Sequence, residues 1–158
     1  MDIDIIDRKI LAELQEDASL ANIELADRVG LTPAPCLRRV SRLVEDGVIQ
    51  RYTIALDNKQ LGFGLSALVE VTLAKHTTQS ARTFLKAMQA KPEIVGCHMV
   101  TGDCDFILRI IAKDMEAYRR LIWEDLHALE NVLKVRSSLI LETFKDQTSP
   151  TLAVGTNV

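Results

Sequence analysis

Three arginines lie close together in the stretch GLTPAPCLRRVSRL, residues 30–43. If this stretch is helical, Arg38 and Arg42 are one turn apart on the same face and Arg39 lies at its flank. A guanidinium is permanently charged and presents several N–H donors in one plane, which suits phosphate oxygens and nucleic-acid base edges. The chemistry predicted here is therefore recognition of an anionic partner.

The positive charge of the chain is concentrated around these arginines. The 158 residues carry a net charge of −3, which by itself indicates no nucleic-acid partner. Residues 1–27 hold eight acidic and two basic side chains, residues 28–51 hold five basic and two acidic ones, and the remainder is balanced. Local patches attract phosphates more effectively than the overall isoelectric point does. The distribution therefore favours a phosphate-bearing partner for residues 28–51.

Two prolines at the start of the stretch define where its helix begins. With Thr32 as N-cap, Pro33 occupies the first helical position and Pro35 the third. Backbone N–H groups in a first turn have no intrahelical partner, so these prolines remove donors that would be unpaired anyway. The Thr32 hydroxyl then has only the Ala34 N–H to accept from. The helix start is stiff and exposes few amides, which suits it to press against another molecule.

Two shorter helices are predicted before this one. Apolar residues recur at helical spacing over residues 6–14, with Asp4 or Asp7 as the N-cap. The second helix lies between Asn22, its predicted N-cap, and Gly30, which supplies a left-handed end. The chain therefore begins with three successive helices.

A helical wheel divides the third helix, residues 32–46, into two faces before Gly47 ends it. The buried side is predicted to hold Cys36, Leu37, Val40, Leu43 and Val44. The outward side is predicted to hold Ala34, Pro35, Arg38 and Arg42, with Arg39 at the flank. Three helices with a tight Gly-Leu turn before the last, basic one are typical of a helix-turn-helix that binds DNA. The alternative is a solvated arginine face on an ordinary three-helix bundle.

The second part of the chain changes to alternating strand and helix patterns. Residues 48–57 are predicted to form a strand, and a loop with two glycines, residues 58–64, then marks a boundary. Beyond it the order is strand, helix, strand, strand, helix, strand, which is that of a ferredoxin-like α/β sandwich. We expect the helices to cover one face of the sheet, and the other face to pack on a second copy of the chain.

A tight turn at Gly102-Asp103, between two predicted strands, is a candidate site for an amino acid. A zwitterion needs donors for its carboxylate and acceptors for its ammonium group, and a glycine turn exposes backbone groups of both kinds. Asp103 and Asp105 have opposite strand orientations, so we expect only one of them to face a given ligand. Candidates for the apolar lining are Met99, Leu139 and, at a helix start expected nearby, Met115. The alternative is a plain hairpin turn, since glycine and aspartate are common turn residues.

Other kinds of site find little support in the sequence. The three cysteines are an odd number at no metal-like spacing, which favours reduced thiols in the cytoplasm. A redox role for Cys104 is the alternative hypothesis. His98 lacks the spacing of a metal site, and His76 and His127 are expected to have no role. Motifs for covalent catalysis are missing, so we predict neither an enzyme nor a cofactor. No apolar run reaches 18 residues, so no membrane-spanning segment is expected.

Four stretches in a fixed order make the sequence resemble the Lrp/AsnC family of bacterial and archaeal regulators. They are DRKILAELQEDA, NIELADRVGLTPAPCLRRVSRLVEDGVIQRYTIALD, GDCDFILRI and DMEAYRRL, within about residues 3–147. The resemblance implies an N-terminal helix-turn-helix that binds promoter DNA and a strand like residues 50–56 as a link. It also implies a C-terminal sandwich that dimerises, often assembles to octamers, and binds an effector, usually an amino acid, between dimers near residues 102–105.

The residues and the resemblance together predict an α/β (α+β) protein in four parts. These are a helix-turn-helix domain at 1–49, a linker strand and hinge at 50–62, a ferredoxin-like domain for ligand binding and oligomerisation at 63–147, and a tail at 148–158. The DNA-contacting residues are expected to be Thr32, Ala34, Pro35, Arg38, Arg39, Arg42 and Arg51. The effector-contacting residues are expected to be Met99, Val100, Gly102, Asp103, Cys104, Asp105, Met115 and Leu139.

We therefore expect a sequence-specific, amino-acid-responsive transcription regulator in the cytoplasm, associated with a bacterial or archaeal nucleoid. Its predicted partners are double-stranded DNA, an amino-acid effector and further copies of the chain. Ala34, Pro35 and Arg38 are expected nearest the base edges, whereas Arg39 and Arg42, together with Arg51, are better placed for phosphates. The alternative is an effector-insensitive protein that organises DNA with little sequence preference.

Overall fold

A computed structural model describes residues 2–147 and 149–152 of the chain. The described residues divide into two compact units, one drawn from Met1–Ala55 with Asp146–Val158 and one from Leu56–Lys145. The division after Ala55 lies inside the predicted linker at 50–62. Of the predicted C-terminal tail, only residues 149–152 are among the described residues, and they are counted with the first unit.

The first unit contains three α-helices whose ends follow local sequence signals. They are α1 (Ile5–Glu16), α2 (Asn22–Val29) and α3 (Pro33–Glu45). At the start of α1 the Asp4 carboxylate accepts from the Asp7 N–H at 2.8 Å, and the Asp7 carboxylate accepts from the Asp4 N–H at 3.3 Å. This reciprocal pairing is a capping box, so both candidate caps take part. Gly30 ends α2 with a φ of 73°, in the left-handed region that glycine adopts without steric penalty.

Two of the predicted caps differ in detail from the structure. The N-cap of α2 is Ala21 rather than Asn22, and the Asn22 amide instead donates to the Pro33 carbonyl oxygen at 2.8 Å, which ties α2 to the start of α3. Thr32 is the N-cap of α3 with Pro33 at the first helical position, as predicted, but its hydroxyl makes no capping hydrogen bond within the described residues. Prolines in the first turn leave that hydroxyl few N–H donors.

The core of the first unit lies between the three helices. Its buried apolar residues are Ile10, Leu25, Ala26, Val29, Cys36 and Leu43. Leu37 and Val44, predicted to share the buried side of α3, are instead 55% and 43% exposed. A helical wheel gives the direction of a side chain, whereas the width of the covered stripe depends on where the neighbouring helices lie.

The strand predicted over residues 48–57 is not formed. Tyr52, Ile54 and Leu56 alternate along this segment and are all more than half exposed. Alternation produces an apolar edge, but a strand exists only where a neighbouring strand satisfies its backbone groups. None of the four strands in the described residues pairs with this segment.

The second unit has the predicted order of strands and helices. Its elements are β1 (Leu65–Leu73), α4 (Thr78–Gln89), β2 (Ile94–Met99), β3 (Phe106–Ala112), α5 (Met115–Arg120) and β4 (Val132–Leu139). The helix α5 continues into a wider, π-type turn at Leu121–Leu126. The strands are antiparallel in the order β2-β3-β1-β4. This is the ferredoxin-like arrangement, so the predicted fold class is confirmed.

Alternate residues of the central strands β1 and β3 separate a buried face of the sheet from an uncovered one. The buried strand residues are Ala67, Val69, Val71, Leu73, Phe106, Leu108, Ile110 and Ala112. The helices cover this face, with Phe84 of α4 and Tyr118 of α5 in the same cluster. The other face mixes the apolar Leu68, 43% exposed, with charged groups such as Glu70 and Arg136, whose side chains are 3.6 Å apart. Packing of this face on a second copy stays a prediction.

Candidate nucleic-acid interface and ligand-binding turn

The predicted DNA-contacting residues lie at the surface of the first unit. Thr32, Ala34, Arg38, Arg42 and Arg51 are exposed, while Pro35 and Arg39 are half-buried. The three arginines of α3 line a shallow concavity. The first turn of α3 carries no acidic side chain, so the positive end of its helix dipole is not neutralised by its own residues. Because Pro33 and Pro35 leave few backbone N–H donors here, the guanidiniums beside this exposed helix start are the groups suited to bind phosphate.

Two acidic residues at the start of α1, the N-cap Asp4 and Asp7, form ion pairs with two of these arginines. Arg39 donates from Nη1 to Asp4 at 2.7 Å and to Asp7 at 2.9 Å, and Arg42 donates from Nη2 to Asp7 at 2.5 Å. The Asp7 side chain has no exposed surface, whereas those of Arg39 and Arg42 are 26% and 46% exposed. A buried carboxylate needs charged, hydrogen-bonded partners, and the two guanidiniums supply them. Helix α1 therefore fixes the directions in which Arg39 and Arg42 point.

Sequence reasoning placed Asp4 and Asp7 only at a helix cap and missed their arginine partners. The contacts join residues 32 or 35 positions apart, which no local pattern reports. Because the Asp7 backbone N–H and then the Arg39 guanidinium stabilise its charged form, the pKa of Asp4 lies below the ordinary 3.8. In return, the Asp4 and Asp7 carboxylates raise the pKa of Arg39. Both observations indicate a fully charged ion pair between Asp4 and Arg39 at neutral pH.

The predicted ligand-binding turn joins β2 to β3 in the second unit. The Val100 N–H donates to the Asp105 carbonyl oxygen at 3.0 Å, which closes the turn over residues 101–104. Gly102 has a φ of 126°, and no atom lies within 4 Å of where its Cβ would stand. Glycine is therefore favoured here by backbone conformation and not by crowding. Met99, just before the turn, is 67% exposed.

The Asp105 carboxylate and backbone N–H already make contacts within their own chain. Its carboxylate accepts from the Leu73 N–H at 2.7 Å and lies 3.1 Å from Nδ1 of His76, while its N–H donates to the Val71 carbonyl oxygen at 2.9 Å. It thus ties the start of β3 to the end of β1. His76, which we had expected to have no role, contributes to this contact. These bonds make Asp105 the less available of the two aspartates for a ligand.

Asp103 faces different surroundings. It lines a small concavity together with Glu70, Thr72, Lys134 and Arg136. Register places Thr72 opposite Lys134 and Glu70 opposite Arg136 on the uncovered face of β1 and β4. Glu70 and Arg136 are paired with each other, so Asp103 and Lys134 supply one further charge of each sign, which suits the two charged groups of a zwitterion. These four lining residues were not predicted, because pairing of β1 with β4 spans most of the second unit.

Met115 and Leu139 do not join the turn within one chain. The turn precedes Phe106, whereas Met115 follows the other end of β3, about 20 Å away at the usual rise per strand residue. Leu139 pairs with Ala67, which also pairs with Ile110 near that same far end. The expectation that Met115 lies near the turn is therefore wrong for a single chain. A site combining both groups would need a second copy.

The cysteine thiols and possible metal ligands are the other groups considered for a site. Burial, followed by the charges of nearby carboxylates such as Glu70, raises the pKa of the Cys104 thiol, which disfavours the reactive thiolate. Burial also raises the pKa of Cys36 and of Cys97. Among the described residues, no three His, Cys, Asp or Glu side chains are grouped to hold a metal ion. No helix in the described part of the chain is long and apolar enough to cross a membrane.

Two family models match consecutive parts of the chain. Residues 3–50 match a winged helix-turn-helix DNA-binding model, and residues 66–150 match the Lrp/AsnC ligand binding domain. These spans coincide with the three-helix unit that carries the arginines and with the ferredoxin-like unit that carries the turn. The leucine-responsive regulatory proteins of Klebsiella pneumoniae and Escherichia coli K12 are each 44% identical to this chain over 144 residues, covering 91% of it and 88% of the relative.

Solved structures of similar proteins share the fold over nearly the whole chain. A transcriptional regulator of Neisseria meningitidis, in complex with L-methionine, has a TM-score of 0.90 at 32% identity, covering 94% of this chain and 96% of its own. An AsnC family transcriptional regulator of Agrobacterium tumefaciens has a TM-score of 0.87 at 34% identity, covering 93% and 95%. A feast or famine regulatory protein of M. tuberculosis, complexed with L-methionine, has a TM-score of 0.84 at 29% identity, covering 95% and 99%.

Proposed function

The chain belongs to the Lrp/AsnC family of transcriptional regulators, and from that premise we propose that it binds operator DNA through α3 and responds to an amino acid. The observation that supports the DNA contact best is the surface of α3, where Arg38, Arg39 and Arg42 surround an open concavity. Arg38 is exposed on this surface, and we assign it to base edges. Arg39, Arg42 and Arg51 are assigned to phosphates. The proposed location of the protein is the cytoplasm.

Substitution of Arg38 and of Arg51 distinguishes base reading from phosphate binding. Operators would first be selected by the protein from a pool of random duplexes, and affinities for selected and random DNA then measured by fluorescence anisotropy over a salt series. We expect Arg38→Ala to lower the ratio of the two affinities, by about 1–3 kcal/mol for a lost base contact. Arg51→Ala should weaken binding to both DNAs equally and reduce the salt slope by about 0.9.

Two outcomes would count against this assignment. If neither substitution changes any affinity, α3 is not the DNA-binding surface. If the wild-type protein binds selected and random DNA equally, the protein organises DNA without reading sequence, which is the alternative function.

The effector is proposed to be an amino acid with an apolar side chain. Similar proteins were solved with L-methionine, and the curated relatives are named for leucine. We propose that it binds at the 101–105 turn, with Asp103 holding the ammonium group, because the Asp105 carboxylate is engaged by Leu73 and His76. A ligand at the uncovered face would act by favouring one arrangement of subunits over another.

A thermal-shift screen of the twenty amino acids tests the effector assignment. At about 100 times the dissociation constant, a ligand specific for the native state stabilises by about 2.7 kcal/mol, which corresponds to a rise in Tm of about 5–10 °C. Asp103→Asn should abolish this rise, whereas the control Glu130→Gln, at an exposed acid of the same unit, should preserve it. An unchanged rise in Asp103→Asn would remove Asp103 from the site, and no rise with any amino acid would refute the effector class.

A further inference from the structure

The Arg39 guanidinium is shared between two carboxylates that differ sharply in exposure. Its Nη1 donates to Asp4 at 2.7 Å and to Asp7 at 2.9 Å. The Asp4 side chain is 49% exposed, whereas the Asp7 side chain is completely buried. One partner of Arg39 is therefore in water and the other is enclosed by the first unit.

This difference makes one contact permanent and the other exchangeable. Separating the buried Asp7 from its guanidiniums would leave an uncompensated buried charge, which is strongly unfavourable. An exposed ion pair such as that of Asp4 contributes little to stability, because water solvates both partners well when they part. A competing anion at the surface can therefore displace Asp4 and not Asp7.

A DNA phosphate is such an anion if α3 binds DNA. We propose that the Asp4 carboxylate competes with a DNA phosphate for the Arg39 guanidinium, so that Asp4 limits the affinity of the protein for DNA. Arg42 is bound to the buried Asp7 and keeps its direction, while 46% of its side chain remains exposed for a second phosphate. This inference rests on the proposed function, because it requires Arg39 to contact DNA.

The substitution Asp4→Asn removes the competing charge and retains the helix cap. Asn is as effective an N-cap as Asp, and its side-chain oxygen can still accept from the Asp7 N–H. Asp2→Asn is a matched control, because Asp2 is exposed, lies two residues away, and is not one of the carboxylates bonded to Arg39. It changes the net charge by the same amount without touching the ion pair.

The experiment compares five full-length proteins on a random-sequence duplex, by fluorescence anisotropy at several salt concentrations. They are the wild type, Asp4→Asn, Asp2→Asn, Arg39→Gln and the double variant Asp4→Asn/Arg39→Gln. We expect Asp4→Asn to bind about two- to fivefold more tightly than the wild type, which corresponds to removal of an exposed competing ion pair. Asp2→Asn should increase the affinity for DNA by a smaller factor. In the Arg39→Gln background, the addition of Asp4→Asn should increase the affinity by no more than Asp2→Asn does in the wild type. Circular dichroism and thermal melting confirm that each variant is folded.

The possible failures are separable. If Arg39→Gln binds DNA as tightly as the wild type, the assignment of Arg39 to phosphate in the proposed function is wrong. If Arg39→Gln is weakened but Asp4→Asn gains no more than Asp2→Asn, only the competition is overturned. The competition is also overturned if the gain from Asp4→Asn persists undiminished in the Arg39→Gln background, because Asp4 would then act on DNA by a route other than Arg39.

Discussion

At the scale of single residues, the role of each acidic side chain depends on the partner with which tertiary packing places it in contact. Asp4 and Asp7 begin α1, yet both also form ion pairs with arginines of α3. Asp105 lies in a turn that resembles a ligand site, yet its carboxylate is bound by the Leu73 N–H and faces His76. In both places an acidic residue positions its neighbours and thereby limits what remains available to an external ligand.

The depressed pKa of Asp4 predicts how acid affects the stability of the first unit. The folded-state pKa lies below the ordinary 3.8, chiefly because the Asp7 N–H and Arg39 favour the carboxylate. The folded state therefore binds fewer protons, so this contribution to stability is complete above about pH 4 and is lost as the pH falls through the folded-state pKa. We expect the free energy of unfolding of Asp4→Asn, from urea titrations between about pH 5 and 2, to fall less steeply than that of the wild type. Equal slopes would show that folding does not lower the pKa of Asp4.

At the scale of elements, glycines in the left-handed region and prolines at helix starts set the boundaries. Gly30 and Gly47, each with a φ of 73°, follow α2 and α3, and Pro33 begins α3. In the second unit, Gly102 shapes the turn between β2 and β3 in the same way. These turns fix where the arginine surface and the ligand turn begin, since each depends on a backbone conformation that few residues adopt.

Replacement of Gly102 by alanine should cost stability through backbone strain alone. A Cβ at Gly102 would meet nothing within 4 Å, so the expected loss of about 1–3 kcal/mol arises from the φ of 126°. Gly64→Ala is the control, because Gly64 lacks a positive φ and its Cβ would make an ordinary contact at 3.5 Å with the Lys113 carbonyl oxygen. Chemical denaturation of both variants measures the difference. Similar stabilities for the two would mean that the turn relaxes to accept a side chain.

At the scale of the whole molecule, much apolar surface is left uncovered in one chain. Ile54, Leu141 and Phe144 are 76%, 97% and 90% exposed, and Leu68 lies on the uncovered sheet face. Large contiguous apolar surfaces are rare on monomeric proteins, so we expect a second copy of the chain to cover some of these side chains. The separation of Met115 and Leu139 from the turn likewise leaves the predicted effector residues divided within one chain. Both features favour an assembly of several copies.

Sedimentation equilibrium tests this assembly directly. We expect the wild-type protein to be dimeric or larger, and the double variant Leu141→Asp/Phe144→Asp to shift toward smaller species, because association would bury carboxylates without partners. Ile23→Asp, at a 64% exposed residue of α2, is the matched control and should leave the distribution unchanged. A monomeric wild type at micromolar concentration would refute the prediction.

The amino-acid sequence by itself determined the features that depend on neighbours within a few residues. The start of α3 at Pro33, its end before Gly47, the alternation of β1 and the order of elements follow from local periodicity and turn chemistry. The resemblance of ordered motifs indicated the family. These properties could be predicted because short-range backbone preferences act wherever the residues occur.

Only the tertiary structure decided which distant groups meet. It joined Asp4 and Asp7 to Arg39 and Arg42 and engaged Asp105 with Leu73 and His76. It left residues 51–57 unpaired with any of the four strands that the structure describes. It also left Leu37 and Val44 exposed on a face that the helical wheel had assigned to the core. Periodicity sets the direction in which a side chain points, but its neighbour is chosen by packing between elements far apart in sequence.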